Sequence, residues 1–398
     1  MKAQRATVWA ASLALGLLFP LLIARSAHAY TWMIRHGYTG CAPCHTDPSG
    51  AGPLTPYGRA QGELLMQSRY GDTSEEASPL AGLAWGQVQT SDAIRLGGDF
   101  RQAFFSLKPE GTPGTNRLLT MQADLFGDLK IRRFRAEASI GYAPTGDLPA
   151  SLTDSPSGNI ISRDHWLGYE FDEDGSWLLR AGRMALPFGI RAIEHNLFAR
   201  SLSRTDIDAT QQYGVALSVS TEQVRGELMG IVGNFQLHPD EFRERGYSGF
   251  VEYAPMKTLA LGASSLFTRA TRDIIYGVTD YRYANGIFAR YSPVEQLVLL
   301  AEADSVYQSL TWNGHRGGYA GFVQADVEPS QGIHLMFTGE TMKAGAIGEA
   351  ASYAAWVSAV WFFWSHMDFR VDNVYELLGS PAGTTEVLSL LLQFHVYL

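Results

Sequence analysis

The chain contains two cysteines, Cys41 and Cys44, and a histidine, His45, directly follows the second one. This C-x-x-C-H spacing is typical of covalent c-type haem attachment. The two thiols would add to the haem vinyl groups, and the His45 imidazole would bind the iron from one side. The sequence therefore predicts one covalent haem c held by Cys41, Cys44 and His45.

Three other kinds of site use cysteines in such pairs. A disulfide between Cys41 and Cys44 would close a very small loop and add little stability. A thioredoxin-like redox pair needs a βαβ setting, which is absent around these residues. A structural zinc site needs four ligands, and only three suitable residues cluster here. Haem attachment is the interpretation that the context favours.

A six-coordinate iron needs a second axial ligand, and a methionine or histidine there would tune the reduction potential. Met33, His36 and Met66 are the candidates within the same segment. Met66 lies in a helix-like stretch that could fold back over the haem, although its alternative role is apolar packing. Two histidines farther along the chain, His334 and His395, are further candidates.

The first 29 residues have the three parts of a secretory signal peptide. Lys2 and Arg5 precede an uncharged apolar run over residues 6–23, and Ala27-His28-Ala29 supplies a cleavage site before Tyr30. The alternative is an uncleaved membrane anchor, since the run is about the minimum length for a span. Cleavage is favoured, and it places the mature chain outside the cytoplasm, where c-type haem attachment takes place.

The composition points away from an ordinary soluble protein. The 398 residues are 46% hydrophobic but only 18% charged, whereas soluble chains carry about 25% charged residues. The net charge of −9 argues against a nucleic-acid partner. No later apolar stretch is long enough for a spanning helix. The remaining options are a large soluble β protein and a transmembrane β-barrel.

From about residue 92 the sequence alternates apolar and polar residues in segments of about ten, separated by turns. In residues 133–142, for example, the alternate apolar positions are Phe134, Ala136, Ala138, Ile140 and Tyr142, and the positions between them include Arg133, Arg135 and Glu137. A soluble sandwich would alternate too. Segment length, Tyr and Trp at segment ends, and an alternating apolar C-terminus favour an outer-membrane barrel.

We predict an all-β fold, an outer-membrane β-barrel of sixteen antiparallel strands preceded by a small haem segment with short helices. The predicted strand centres lie near residues 99, 122, 137, 168, 180, 215, 228, 250, 263, 287, 300, 322, 336, 358, 370 and 392. The predicted extracellular loops are residues 107–116, 143–162, 190–210, 235–246 and 269–280.

The predicted organisation has four parts. Residues 1–29 are the signal peptide, 30–80 the monohaem cytochrome c-like segment, 81–91 a linker and 92–398 the barrel. Because lipid is an insulator, a haem below the membrane could not collect electrons from outside, so residues 30–80 are expected to plug the lumen. The charged residues expected to face the lumen and hold the plug and the haem propionates are Arg95, Asp99, Arg101, Arg133, Arg135, Glu137, Arg180, Glu302 and Asp304.

This order of parts resembles the fused monohaem cytochrome–porin family of the bacterial outer membrane, whose characterised members oxidise extracellular ferrous iron. The local likeness covers "GCAPCHTDPSGAGPLTPYGRAQGE", in which Tyr57-Gly58-Arg59 stands where the family has an aromatic-Gly-Arg step. The resemblance implies haem attachment at Cys41, Cys44 and His45 and a ferrous-iron:cytochrome oxidoreductase activity. A second stretch, "RAGRMALPFGIR" at residues 180–191, is similar to a strand-to-loop segment of substrate-selective porins.

The predicted function is electron transfer across the bacterial outer membrane, from an extracellular donor such as ferrous iron to a periplasmic electron-carrier cytochrome. The alternative is a solute-passing, weakly anion-preferring porin in which the haem segment is a sensor or docking module. A haem enzyme is less favoured, because only His36 and Asp47 near the motif are potential acid–base groups. No catalytic residue is assigned.

Overall fold

A computed structural model describes residues 30–398, except residues 144–149, 154, 156, 195, 207–209, 234–243, 274, 312–313 and 346–348. The predicted signal peptide, residues 1–29, lies outside the described residues. In the described part of the chain, no helix combines the length and the apolar character needed to cross a membrane.

The described strands form one antiparallel sheet that closes on itself. The strands are β1 (Ile94–Pro109), β2 (Thr115–Ile131), β3 (Phe134–Ala143), β4 (Asn159–Ile161), β5 (His165–Glu170), β6 (Trp177–Met184), β7 (Gln212–Ser220), β8 (Val224–Gly233), β9 (Glu244–Met256), β10 (Leu259–Ala270), β11 (Asp280–Val294), β12 (Leu297–Leu310), β13 (Gly314–Ser330), β14 (Ile333–Lys343), β15 (Ser352–Trp364), β16 (Met367–Ser380) and β17 (Gly383–Tyr397). β17 pairs with β1, from Asp99 opposite Tyr397 to Pro109 opposite Val387.

The barrel has sixteen strand positions around its circumference, counted over the described residues. β4 and β5 both pair with β3, β4 near Gly141 and β5 near Ala136, so the two segments share one position in the wall. The predicted fold class and strand number are confirmed, and each of the sixteen predicted centres lies within a strand.

The wall exposes apolar side chains and buries polar ones. In β14, Leu335 and Phe337 are 39% and 50% exposed, whereas His334 and Met336, which alternate with them along the strand, are buried. Successive side chains of a strand point to opposite faces, so one set of positions faces outward and the other faces the lumen. An apolar outer face and a polar inner face are the arrangement of a barrel surrounded by lipid.

The two ends of the barrel differ in their connections. At one end strands join through short turns, as between Ile131 and Phe134, and this is the periplasmic end in outer-membrane barrels. The predicted extracellular loops 107–116, 143–162 and 269–280 join strands at the opposite end. The predicted loop 235–246 falls largely outside the described residues.

Residues 185–211, the inner loop, correct the prediction for 190–210. This connection between β6 and β7 turns into the lumen instead of lying outside, and it carries the short helix α2 (Phe198–Ser203). The Ile190 amide donates to Glu302 Oε2 at 2.7 Å and the Phe198 amide to Glu340 Oε2 at 2.6 Å. The stretch is too apolar to remain in water, and Leu186, Phe188 and Leu197 are almost fully buried.

One predicted lumen charge is also corrected. Arg133 lies in the tight turn between β2 and β3, is exposed, and donates to the Phe171 carbonyl oxygen at 2.9 Å. Arg132 beside it has a positive φ of 56°, which ends the strand alternation one residue earlier than the sequence pattern indicates. Among the others, Arg135, Glu137, Arg180, Glu302 and Asp304 are buried on the lumen side.

Candidate functional site

Residues 30–91, the plug, lie against the inner wall at the short-turn end of the barrel. Short helical turns at Thr31–His36 and Gly62–Met66 flank the helix α1 (Pro56–Gln61), and a last turn spans Pro79–Ala81. In the predicted linker, residues 81–91, the Trp85 indole donates to the Ser365 carbonyl oxygen at the barrel rim at 2.9 Å.

Ion pairs attach the plug to opposite parts of the wall. The Arg35 guanidinium donates to Asp326 at 2.8 Å and Glu328 at 2.6 Å, both on β13. On the other side Asp47 pairs with Arg180 of β6. Both arginine side chains are fully buried. Removing one member of such a pair costs about 3–5 kcal/mol, because the other charge stays buried without a partner.

Further hydrogen bonds extend these contacts around the lumen. Thr46 donates to Glu137 Oε2 on β3 at 2.6 Å, and the Arg290 guanidinium on β11 donates to the Thr39 carbonyl oxygen at 2.6 Å. The Ser68 amide donates to the Phe362 carbonyl oxygen on β15 at 2.9 Å. The plug is therefore bonded to strands spread over most of the circumference.

The C-x-x-C-H motif forms a single tight turn inside this plug. The Cys41 carbonyl oxygen accepts from the amides of Cys44 at 3.2 Å and His45 at 3.0 Å. Both cysteine side chains are buried, and no disulfide joins them. Burial raises the pKa of the Cys44 thiol, so the uncharged form is favoured there.

Helix α1 packs directly on this turn and accounts for the Tyr-Gly-Arg step. The Thr55 hydroxyl caps the helix by accepting from the Gly58 amide at 3.0 Å, and Pro56 occupies its first position. A Cβ at Gly58 would lie 2.4 Å from the Cys44 carbonyl oxygen. Arg59 is buried and donates to the Leu96 carbonyl oxygen on β1.

Gly58→Ala is expected to loosen the plug. The added Cβ would overlap the Cys44 backbone, and such overpacking costs about 1–3 kcal/mol. We expect protease added in detergent to cleave residues 30–91 about 10-fold faster than in the unchanged chain. Gly62→Ala is the matched control, because its Cβ would meet nothing within 4 Å. Equal cleavage rates in both variants would contradict this packing role.

The motif turn faces a cavity between the plug, the inner loop and the wall. The cavity contains about 1350 Å³ of space free of protein atoms, part of it open to solvent. The part of this space that a water-sized molecule can reach is about 180 Å³, less than the roughly 300–1000 Å³ of typical ligand pockets, so a group of haem size would also occupy the part that is open to solvent. The plug residues that line it include Tyr30, Met33, Cys44, His45, Gly50, Gly52, Leu54, Gln61 and Met66, and the wall and loop residues include Asp99, Arg101, Gln122, Phe126, Arg163, Arg191, His395, Tyr397 and Leu398.

The structure brings four of the six predicted site residues to this cavity. Cys44, His45, Met33 and Met66 line it. Cys41 lies behind the turn, where its Sγ accepts from the Arg225 guanidinium at 3.3 Å. His36 lies away from the cavity, with its Nδ1 at 3.7 Å from Glu295.

The two lumen histidines have other partners. His395 lines the cavity, but Asp368 at 2.7 Å and Asp99 at 3.1 Å contact its two ring nitrogens. His334 lies against Trp32 outside the cavity, with a ring centroid distance of 4.2 Å. Met33 and Met66 are therefore the second-ligand candidates that the cavity wall retains, and their role stays a prediction.

The His45 environment is compatible with a haem. The Nδ1 atom of His45 is buried without a hydrogen-bond partner, while the side chain itself faces the cavity. Burial lowers the pKa of His45 to about 4, so the imidazole is neutral at pH 7, as an iron ligand must be. Within the described residues, no three His, Cys, Asp or Glu side chains cluster as a metal site.

Comparisons with solved structures identify the barrel type. OmpT of Vibrio cholerae matches with a TM-score of 0.59 and 10% identity, covering 78% of this chain and 100% of OmpT. An anion-selective porin from Comamonas acidovorans matches with a TM-score of 0.56 and 11% identity, covering 77% and 99%. OmpF of Salmonella typhi matches with a TM-score of 0.55 and 13% identity, covering 77% and 99%. The fold is that of the outer-membrane porins.

At such low identities the likeness shows the fold alone. The covered share of this chain is about the share that residues 92–398 make up. No protein-family model matches the chain, and no curated protein matches it in sequence.

Inside this porin barrel a second, larger space lies between the inner loop and the end with long connections. This vestibule contains about 2980 Å³ free of protein atoms, part of it open solvent. Arg117, Arg200 and Arg204 line it together with Asp206 and Glu376. Gln122 and Arg163 line both the vestibule and the cavity, so these two side chains form part of the partition between them.

The sequence analysis missed the cavity residues contributed by the inner loop and by the seam of the barrel, where β17 pairs with β1. Arg191 lies in the predicted extracellular loop 190–210, and Arg163 directly follows the predicted loop 143–162. Tyr397 was predicted only as part of an alternating strand. The similarity of residues 180–191 to a strand-to-loop segment of porins was the one signal pointing to the inner loop.

Proposed function

We propose that this chain is a bacterial outer-membrane electron-transfer protein that carries one haem c inside a plugged porin barrel. Cys41 and Cys44 would attach the group, and His45 would bind its iron, with Met33 or Met66 as second ligand. Export by the predicted signal peptide at residues 1–29 is part of this proposal. The exposed apolar belt supports residence in outer-membrane lipid.

One observation carries the proposal: the motif turn faces a cavity within the lumen, not the outside of the barrel. A haem bound there would supply one-electron redox chemistry. The haem would then be the group that carries an electron through an insulating membrane.

The residues around the cavity would separate the extracellular side from the periplasmic side, and the cavity would lie close to both sides. The plug and inner loop close the bore that a sixteen-stranded porin otherwise leaves open. Gln122 and Arg163 form the partition on the vestibule side. On the periplasmic side, Gln61 and Met66 of the plug form the wall of the cavity.

We propose that electrons flow inward through this arrangement. An extracellular reductant, for which the family resemblance implies ferrous iron, would enter the vestibule and give up one electron across the partition. That electron would leave to a soluble cytochrome at the periplasmic end. The iron ion would be the substrate, losing one electron in its oxidation from Fe²⁺ to Fe³⁺, and the haem would accept that electron.

A solute-passing porin is the second candidate, and two observations favour it. One structural neighbour is an anion-selective porin, and four arginines line the vestibule. Several of them are paired with carboxylates, however, including Arg200 with Glu302 and Arg204 with Asp273. The closed periplasmic end favours electron transfer over transport.

Intact cells of the native host test the proposal. The probe is ferrous iron held by a polymer-bound chelator that is too large for general porins. We expect the haem absorption of this protein to change to that of the reduced form within the mixing time, and cells lacking the chain to show no such change. If dithionite reduces the haem but polymer-bound ferrous iron does not, the proposal of extracellular electron uptake is wrong.

A further inference from the structure

Arg191 is a buried arginine whose hydrogen-bonding capacity is unused. Its side chain lies on the inner loop, lines the cavity and is 8% exposed. All three guanidinium nitrogens are buried without a hydrogen-bond partner. A guanidinium carries five N–H donors and stays charged in proteins, so an unpartnered one is costly to bury.

The neighbouring carboxylates do not supply the missing hydrogen-bond partner of Arg191. Glu227 and Asp47 are the carboxylates that act most strongly on Arg191, but both are bonded to the Arg180 guanidinium. Among the other cavity arginines, Arg163 donates to Asp124 at 2.9 Å. Arg191 therefore lines the cavity with guanidinium donors that have no partner of their own.

We propose that Arg191 binds a carboxylate of the group in the cavity, which under the proposed function is a haem propionate. Planar guanidinium and carboxylate groups match in a two-bond arrangement, which favours this ligand class over a neutral one. Because Arg191 belongs to the inner loop and the motif turn belongs to the plug, the bound group then joins the loop to the plug. A free carboxylate in the cavity would satisfy Arg191 by the same chemistry.

Redox titration of the purified haem-loaded chain tests this assignment. Ferric haem carries one more positive charge than ferrous haem, so a nearby cation favours the reduced state. In Arg191→Gln we expect the ratio of reduced to oxidised haem at a fixed potential to fall about tenfold, which is 59 mV for one electron. Arg191→Lys should restore most of it. Arg204→Gln, on the same loop but facing the vestibule, is the charge-matched control.

Two outcomes overturn the assignment for a haem-loaded chain: Arg191→Gln titrates like the unchanged protein, or Arg204→Gln shifts as much. A chain without haem would defeat the proposed function separately. In that case thermal unfolding of Cys41→Ala/Cys44→Ala with sodium succinate decides. If succinate raises the unfolding temperature of this variant and the added Arg191→Gln substitution removes that increase, the site binds a free carboxylate. If succinate does not raise the unfolding temperature, the proposed carboxylate site is wrong.

Discussion

Cys41→Ala/Cys44→Ala is expected to remove all covalently bound haem from the mature chain. Both thiols are buried in one tight turn, and Cys44 faces the cavity next to His45. Without them no thioether can form, so the intact mass should equal that of the polypeptide, whereas the unchanged chain should weigh one haem more. The outer-membrane fraction should likewise lose its reduced-minus-oxidised haem spectrum.

His36→Asn is the control for this experiment. His36 is next to the plug's first turn but lies away from the cavity, so this variant should keep its full haem content. An unchanged chain from the native host whose mass is that of its amino acids alone would rule out haem attachment, and with it the electron-transfer proposal.

Deleting residues 30–91 is expected to open the barrel. The full-length protein should be almost silent in planar bilayers, because the plug is bonded to β3, β6, β11, β13 and β15. A sixteen-stranded barrel without a plug contains a water-filled channel, so we expect conductance at least about ten times higher after the deletion. Single-channel recording measures it directly.

Arg35→Ala tests the same point in a chain that keeps its length. It leaves Asp326 and Glu328 without their cation, a loss of about 3–5 kcal/mol of plug anchoring, and should produce intermittent openings. Arg316→Ala removes the same residue type from the far end of β13 and should stay silent. Large, steady conductance of the full-length protein would instead support the solute-passing alternative.

The barrel could be predicted because most of the strands alternate their side chains for ten residues or more. That signal ends where a turn breaks the alternation, which is why Arg133 was assigned to the lumen. The prediction for the inner loop was wrong for a different reason. Residues 185–190 show no regular alternation of apolar and polar side chains, and their burial depends on a lumen wall formed by distant strands.

Only the part of the candidate site that lies within one short stretch of sequence could be predicted. C-x-x-C-H lies within five residues, and its turn geometry follows from that. The positions of Met33 and Met66 relative to the cavity depend on how the plug lies against the whole wall, which no local pattern records. Arg191 joins them from a connection more than a hundred residues away in sequence.

The seam of the barrel has a consequence for how the protein matures. Gly98 and Asp99 of β1 line the cavity on one side of the seam, and Tyr397 and Leu398 line it on the other. The Leu398 amide donates to the Gly98 carbonyl oxygen at 2.8 Å, so this wall is completed only when β17 has paired with β1. We therefore expect porphyrin ligation to precede membrane insertion: the ligase would act on an extended precursor, and folding would then enclose the product.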